Sequence, residues 1–164
     1  MKKNKTTFRN ITSGLFAFAL ISLCGPAFSQ SGEQLSKDNW EVSASVNPNK
    51  ATKAIDSDAN SRWDTGGAQA PGQWFQVDMG AVQPVSTIVL NYEKSAGDGP
   101  KAYVVSVSKD GKKWDSVAES TTQAPRGKLE ISLKKSTKVK FIKIEQKGSS
   151  TGTYWSIHEI EAYK

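Results

Sequence analysis

The stretch YVVSVSKDGKKW, residues 103–114, carries the pattern that decides the fold. Apolar residues occupy every second position from Tyr103 to Val107, which gives an extended strand one apolar face and one mixed face. The pair Asp110-Gly111 follows, and it favours a tight turn because glycine tolerates a positive φ. The stretch therefore predicts a β-hairpin whose second strand begins at Trp114.

Similar short runs, rich in valine, isoleucine and aromatic residues, recur between clusters of glycine, proline, aspartate and serine. No segment sustains the period of an amphipathic helix. We predict strands over Trp40–Ser45, Trp74–Met79, Val85–Tyr92, Tyr103–Ser108, Trp114–Ala118, Lys128–Leu133, Val139–Glu145 and Trp155–Tyr163. About eight strands at this spacing favour a β-sandwich or a barrel.

The first 29 residues differ from everything that follows. Four basic residues precede an apolar run from Ile11 to Leu23, and a small-residue site ends at Ser29. This is the pattern of a secretory signal peptide, and the apolar run is too short for an ordinary membrane span. We expect cleavage after Ser29, a polar lead-in over residues 30–39 and one domain over residues 40–164. The mature protein is then secreted, periplasmic or at the cell surface.

Cys24 offers an alternative N-terminus. Ile-Ser-Leu-Cys, residues 21–24, loosely matches a bacterial lipoprotein signal, in which the cysteine is lipidated and becomes the first residue. Leu23 lies where such signals normally have a small residue. Cys24 is the only cysteine, so after cleavage at Ser29 the chain has no disulfide and no thiolate metal site.

The basic charge of the sequence belongs mostly to this leader. Of 22 lysines and arginines, four lie in the leader, whereas all 16 acids lie after it, which leaves 18 basic residues against 16 acidic ones. A balance this close to neutral does not indicate nucleic-acid binding. The lysines between Lys128 and Lys147 mostly alternate with apolar residues, which predicts a solvated strand face.

Three motifs occur in a characteristic order: KAIDSDANSRW at Lys53–Trp63, GQWFQVDMG at Gly72–Gly80 and WSIHEIEAY at Trp155–Tyr163. SKDGKKW at Ser108–Trp114 lies between the last two. Together they resemble the discoidin family, also called the coagulation factor 5/8 type C domain, which includes the family 32 carbohydrate-binding modules. The resemblance implies an all-β, discoidin-like (galactose-binding-like) jelly-roll β-sandwich that binds its ligand through loops at one end.

Asp56, Asp58 and Ser61 place hard oxygen atoms in one short loop. Such a loop suits calcium, although a turn of solvated acids has the same composition. The family resemblance implies a structural calcium ion. Its ligands would be the Lys53 carbonyl, the Asp56 carboxylate, Asp58, the Ser61 hydroxyl and carbonyl, the His158 carbonyl and the Glu159 carboxylate. Ser57 replaces the usual glycine of the family, and a positive φ there would strain the loop.

The ligand site departs from the best-known pattern of the family. Galactose-binding relatives place a histidine after the Arg-Trp pair and an arginine and an asparagine in or near the middle loop. Here Asp64 takes the first position, and the loop Glu93–Lys101 lacks both other residues. Candidates for binding another sugar are Arg62, Asp64, Glu93, Lys94, Asp98 and Lys101, and the alternative is that they are ordinary loop charges.

Aromatic residues can stack on sugar rings, but tryptophans more often fill a core. We expect the five tryptophans, Trp40, Trp63, Trp74, Trp114 and Trp155, to be mostly buried. Tyr154 borders the polar loop Gly148–Thr153 and is the better candidate for exposed stacking.

The chain lacks the residues of common catalytic sites. His158 is the single histidine, which excludes an H-E-x-x-H zinc motif, and there is no G-x-S-x-G elbow. We expect a non-catalytic carbohydrate-binding module. The alternative is an adhesion or assembly protein that uses the same loops to bind a protein partner or anionic lipid. The polar loops Ser95–Pro100 and Ser149–Thr153 disfavour membrane insertion.

Overall fold

The computed structural model describes residues 32–164, so the predicted signal peptide, the cleavage site and Cys24 lie outside the described residues. Eight strands lie within this range. They are β1 (Glu41–Ala44), β2 (Trp63–Asp64), β3 (Trp74–Asn91), β4 (Tyr103–Ser108), β5 (Asp115–Ser120), β6 (Lys128–Gln146), β7 (Ser156–Ile157) and β8 (Glu159–Tyr163). Two short 3-10 helices cover Pro48–Ala54 and Glu93–Ser95.

The all-β prediction is confirmed, but several predicted boundaries are wrong. The four separate strands predicted within residues 74–92 and 128–145 are two continuous strands, β3 and β6. They remain continuous because they pair with each other along almost their full length, through irregularities between Asp78 and Gln83 and between Val85 and Thr87. The strand predicted over Trp155–Tyr163 is interrupted at His158, and β5 begins one residue after Trp114.

The long strands run through both layers of the sandwich. The first half of β3 pairs with β1 and with the second half of β6. This half of β6 pairs with β4 on its other side, and β4 pairs with β5. The second half of β3 pairs with the first half of β6 and with β8. All these pairings are antiparallel, and β2 and β7 form a separate two-stranded sheet.

Side chains from both halves of the long strands fill one core. Phe75 and Val77 come from the first half of β3 and Ile88 and Leu90 from the second, and all four are fully buried. Each such residue stabilises the fold by roughly 1.5–3 kcal/mol relative to an exposed position. The alternation of buried and accessible positions along β3 is the period-2 pattern expected of a sheet with one solvated face.

The tryptophans divide between core and surface. Trp40, Trp63 and Trp155 are buried, as predicted, whereas Trp74 and Trp114 are only partly buried. Trp74 alternates with the core residue Phe75 and therefore lies on the solvated side of β3. Trp114 precedes β5 and packs on Phe141, with 6.2 Å between the ring centroids.

Residues just before β1 also contact the end of the chain. The backbone N–H of Leu35 donates to the Ala162 carbonyl at 2.9 Å, and that of Lys164 donates to the Glu33 carbonyl at 3.0 Å. The Leu35 side chain is buried in the core. Part of the predicted lead-in is thereby held against β8.

The lysine-rich strand β6 alternates between core and solvent. Leu129 and Ile131 are buried, and Lys128 and Glu130 are exposed. The predicted solvated face is therefore confirmed for this half of the strand. Within residues 32–164, no helix has the length and apolar character needed to span a membrane.

Candidate functional site

Three loops meet at one end of the sandwich: residues 61–69, 93–101 and 148–156, together called the three-loop end. Ser156 joins two of them, because its N–H donates to the Asp98 carbonyl at 3.0 Å and its hydroxyl donates to Asp98 Oδ2 at 2.8 Å. The Thr65 N–H donates to the Trp155 carbonyl at 3.0 Å and connects the remaining loop. The pairing of β2 with β7 brings these loops together.

The structure brings Arg62, Asp64 and Asp98 together at this end. Arg62 Nε donates to Asp64 Oδ2 at 3.1 Å, and Nη1 lies 3.7 Å from Asp98 Oδ2. Nη1 also donates to the Ser95 hydroxyl. The three side chains are 33%, 11% and 19% exposed, so their edges remain accessible to a ligand. A guanidinium held between two carboxylates offers charged donors and acceptors to a hydroxylated molecule.

The other predicted polar residues do not join this cluster. Glu93 and Lys94 are exposed on the 3-10 helix Glu93–Ser95, and Lys101 is partly buried at the end of the same loop. Within residues 32–164, no ion pair or side-chain hydrogen bond links any of these three side chains to Arg62, Asp64 or Asp98.

Tyr154 is exposed, as predicted. Its side chain is 42% exposed, and only Val82, at 49%, is a more exposed large hydrophobic residue within residues 32–164. The Tyr154 carbonyl accepts a 2.6 Å hydrogen bond from Gln69 Nε2. An aromatic ring is therefore presented to solvent from a backbone that is held in place.

Two buried glutamines, which the sequence analysis missed, hold the three-loop end. Gln69 Nε2 donates to the carbonyls of Tyr154 and Gly99, and its Oε1 accepts from the Lys101 N–H at 3.2 Å. Gln146 Nε2 also donates to that oxygen. Gln69 thereby connects all three loops.

Gln146 fixes the far side of the same network. Its Oε1 accepts from the N–H groups of Ala102 at 3.1 Å and Gly148 at 3.0 Å. Gln146 follows the buried Ile142 and Ile144 on the apolar face of β6. A polar residue at an apolar position was the available signal, since buried polar groups need partners.

His158 connects the three-loop end to the predicted calcium loop. Its Nδ1 lies 2.9 Å from the Ala59 carbonyl oxygen, and its Nε2 lies 3.1 Å from the Ser95 hydroxyl. The side chain is almost fully buried. Because both ring nitrogens are hydrogen-bonded and the ring is shielded, the arrangement positions the two loops.

Part of the predicted calcium set is assembled. The Ser61 hydroxyl lies 2.6 Å from Asp56 Oδ2 and 3.2 Å from the Lys53 carbonyl oxygen. Ser57 adopts a φ of 63°, the left-handed conformation that the glycine of the family would adopt more easily. The loop therefore has the predicted backbone shape, with a serine in the strained position.

The two carboxylate oxygens of Glu159 have different surroundings. Among the described residues, its buried Oε1 has no hydrogen-bond partner, whereas its Oε2 pairs with the ammonium of Lys37. Burial raises the pKa of the Glu159 carboxyl and the negative charge of Asp56 adds to that rise, whereas Lys37 and the nearby backbone N–H of Ser57 oppose it. An unpaired buried oxygen near a second carboxylate fits a cation ligand, because a buried charge is costly without a partner.

Asp58, another predicted calcium ligand, is bonded within its own loop. Asp58 Oδ1 accepts from the backbone and side-chain nitrogens of Asn60, so this carboxylate is turned towards Asn60. Within the described part of the chain, no three histidine, cysteine, aspartate or glutamate side chains cluster as a metal site would require. The fit therefore depends on two carboxylates together with carbonyl and hydroxyl oxygens, which calcium accepts.

The antiparallel sandwich has the architecture of a discoidin-like domain. The chain belongs to the F5/8 type C domain family, whose model matches residues 32–160. The resemblance carried by the three sequence motifs is thus confirmed. A comparison with curated proteins found no match.

Several solved structures share this fold. Chitosan-binding module 2 of a chitosanase/glucanase from Paenibacillus sp. IK-5, in complex with chitotriose, is 27% identical, with a TM-score of 0.65, over 77% of this chain and 97% of that chain. Module 1 of the same enzyme is 26% identical, with a TM-score of 0.65, over 77% and 96%. The family 32 module of C. perfringens NanJ, in complex with galactose, is 23% identical, with a TM-score of 0.68, over 80% and 98%.

Proposed function

We propose that this protein is a non-catalytic carbohydrate-binding module, exported to the periplasm, the cell surface or the medium, that binds a glycan at its three-loop end. The observation that carries the proposal is the Arg62 guanidinium held between Asp64 and Asp98, with the exposed ring of Tyr154 on a connected loop. The similar modules that bind chitotriose and galactose support it.

The chemistry of the three-loop end suits a pyranose. Arg62 donates and the two aspartates accept, so together they can bind neighbouring hydroxyl groups through charge-assisted hydrogen bonds. Tyr154 can pack against the apolar face of the ring. Asp64 replaces the histidine of galactose-binding relatives, so we propose a sugar other than galactose.

A glycan array with the mature protein in calcium tests this proposal. It should include chitosan oligomers and galactosides, the classes named for the similar structures. We expect a defined set of related glycans to bind. No bound glycan together with a specific protein partner in a pull-down would support the adhesion alternative instead.

Replacing Tyr154 with alanine should weaken binding of the best array glycan about tenfold or more, which corresponds to about 1.4 kcal/mol. Isothermal titration calorimetry measures the affinity, and a thermal melt checks that the fold is unchanged. Val82→Ala is the matched control, because it removes the other exposed large hydrophobic side chain from β3. Equal affinities for Tyr154→Ala and the wild type would contradict a stacking role.

We also propose a structural calcium ion. Its ligands would be the backbone carbonyls of Lys53 and His158, the hydroxyl and carbonyl of Ser61, and the side chains of Asp56, Asp58 and Glu159. The convergence of Lys53, Asp56 and Ser61 and the unpaired Glu159 oxygen support this site. The ion would supply positive charge between the two carboxylates and so connect the 53–61 loop with β8.

Calcium should raise the melting temperature relative to chelator. A ligand that binds only the folded state at about 100 times its Kd adds about 2.7 kcal/mol to the free energy of unfolding. Scanning calorimetry with excess calcium or EDTA measures the shift. Glu159→Gln should reduce it, whereas Glu161→Gln on the same strand should keep it. Identical melting temperatures for the wild type in calcium and EDTA would refute the site.

A further inference from the structure

A second polar surface lies at the far end of β4 from the three-loop end. The loop 93–101 leads into β4, and the strand ends at Ser108, five residues after Tyr103 and roughly 17 Å from it at the usual rise per residue. There the β4–β5 turn and the middle of β6 enclose two depressions of about 300 and 240 Å³, and Thr137 lines both. The two depressions therefore adjoin at Thr137 and are described together as one groove.

Lysines dominate the lining of this groove. We use the name lysine groove for the surface formed by Lys109, Lys113, Lys134, Lys135 and Lys138. All five are exposed, and within residues 32–164 none has a carboxylate within 4.0 Å. By contrast, Lys128, Lys140, Lys147 and Lys164 each pair with an acid. Other lysines without an ion pair among the described residues, such as Lys53, Lys94 and Lys101, lie outside the groove, whereas these five line it.

The two acids of the groove do not neutralise it. Asp110 Oδ1 accepts from the backbone N–H groups of Lys112 and Lys113 at 2.8 and 2.9 Å, so this carboxylate serves the turn. Asp115 lies at the start of β5 and makes no ion pair among the described residues. Five ammonium groups thus face two carboxylates, and the groove keeps a positive charge.

The turn that carries Lys113 is held in one conformation. Trp114 Nε1 donates to the Gly111 carbonyl at 3.1 Å, and the Lys143 ammonium lies 4.6 Å from the centroid of the Trp114 ring. Gly111 itself has a φ of 72°, which an L side chain rarely adopts. A fixed turn presents its lysines with little loss of freedom on binding.

We propose that the lysine groove binds a linear polysaccharide that bears carboxylate or sulfate groups. Such a chain offers anions to the lysines and hydroxyls to Asp110 and Asp115. Neither of the two exposed large hydrophobic residues of the described chain lines the groove, which disfavours a membrane surface. The near-neutral balance of residues 30–164, with 18 basic against 16 acidic residues, disfavours duplex DNA, whose binding depends on a larger positive charge.

Binding to polygalacturonate, alginate and heparin tests the proposal, with fully methyl-esterified polygalacturonate as the uncharged counterpart. We expect at least one acidic polymer to bind, the methyl ester not to bind, and added salt to weaken the complex by screening. The double variant Lys113→Gln/Lys138→Gln should lose affinity at least tenfold. The control Lys128→Gln/Lys164→Gln removes the same charge from paired lysines elsewhere and should change affinity less than twofold.

The proposal is separate from glycan binding at the three-loop end, and the same experiment distinguishes the two. Tyr154→Ala should leave the affinity for the acidic polymer unchanged, even if no neutral glycan binds. Loss of acidic-polymer binding in Tyr154→Ala but not in the groove variant would overturn the groove assignment. So would equal losses in the two lysine double variants, binding of none of the three acidic polymers, or tighter binding to duplex DNA or phosphatidylserine vesicles.

Discussion

Single residues at the three-loop end act by holding backbone as much as by meeting a ligand. Gln69 and Gln146 are almost completely buried, and their side-chain polar atoms bind loop backbone or each other. Satisfied buried networks of this kind fix one arrangement, because a half-satisfied network is costly. The three loops thus keep their shape without a disulfide within residues 32–164, a range that contains no cysteine.

Ser57 is the residue at which the loop 53–61 stores strain. A non-glycine residue in the left-handed region costs on the order of 1 kcal/mol, so Ser57→Gly should stabilise the protein by up to about that amount. Urea unfolding measures the change. Ser149→Gly, at an exposed loop position without a positive φ, is the control and should be neutral or slightly destabilising. A destabilised Ser57→Gly protein would show that the serine is not strained.

At the scale of elements, the short pair β2–β7 places two tryptophans against each other. Trp63 and Trp155 are fully buried, with ring centroids 5.0 Å apart and an interplanar angle of 89°. Their indole N–H groups differ, because Trp63 Nε1 donates to the Val46 carbonyl at 3.0 Å, whereas Trp155 Nε1 has no hydrogen-bond partner within residues 32–164. Only one of the two indole N–H groups contributes a bond.

This difference predicts unequal costs for two matched substitutions. Trp63→Phe and Trp155→Phe remove the same volume from the core, but only Trp63→Phe leaves a carbonyl without its donor. Trp63→Phe should therefore be more destabilising than Trp155→Phe by about 1–2 kcal/mol. Urea unfolding of both variants measures the gap, and equal or reversed costs would contradict the argument.

The elements also show how far sequence reasoning reaches. Strand β4 and the turn at Asp110-Gly111 follow from local alternation and from the conformational freedom of glycine, and both were predicted correctly. The continuity of β3 and β6 was not, because it depends on bulges that form only when two distant strands pair. The local sequence pattern predicts that a segment is extended. It does not predict that β3 pairs with β6 on both sides of Pro84 and so continues as one strand.

The same limit applies to the site. Arg62, Asp64 and Asp98 were identified from polar loop composition and motif position, and Tyr154 from its place beside a glycine-rich loop. Lys37 was missed, because its partner Glu159 lies 122 residues away in the sequence. Its position in the lead-in gave no sign that the chain folds back against β8.

At the scale of the whole molecule, the near-neutral charge balance of residues 30–164 hides an uneven distribution. The three-loop end mixes both signs within one hydrogen-bonded cluster, whereas the lysine groove at the far end of β4 is positive and unpaired. The two proposed binding surfaces therefore differ in their chemistry. Because the three-loop end and the lysine groove lie at the two ends of β4, a ligand at one would leave the other free to bind.

The central claim is that a glycan binds where Arg62, Asp64, Asp98 and Tyr154 meet. A ¹⁵N-NMR titration of the mature protein with the best neutral glycan from the array tests it most directly. We predict saturable shifts of backbone amides confined to residues 61–69, 93–101 and 148–156, with the lysine groove unaffected. Shifts centred on any other surface, with these three loops unchanged, would contradict the claim.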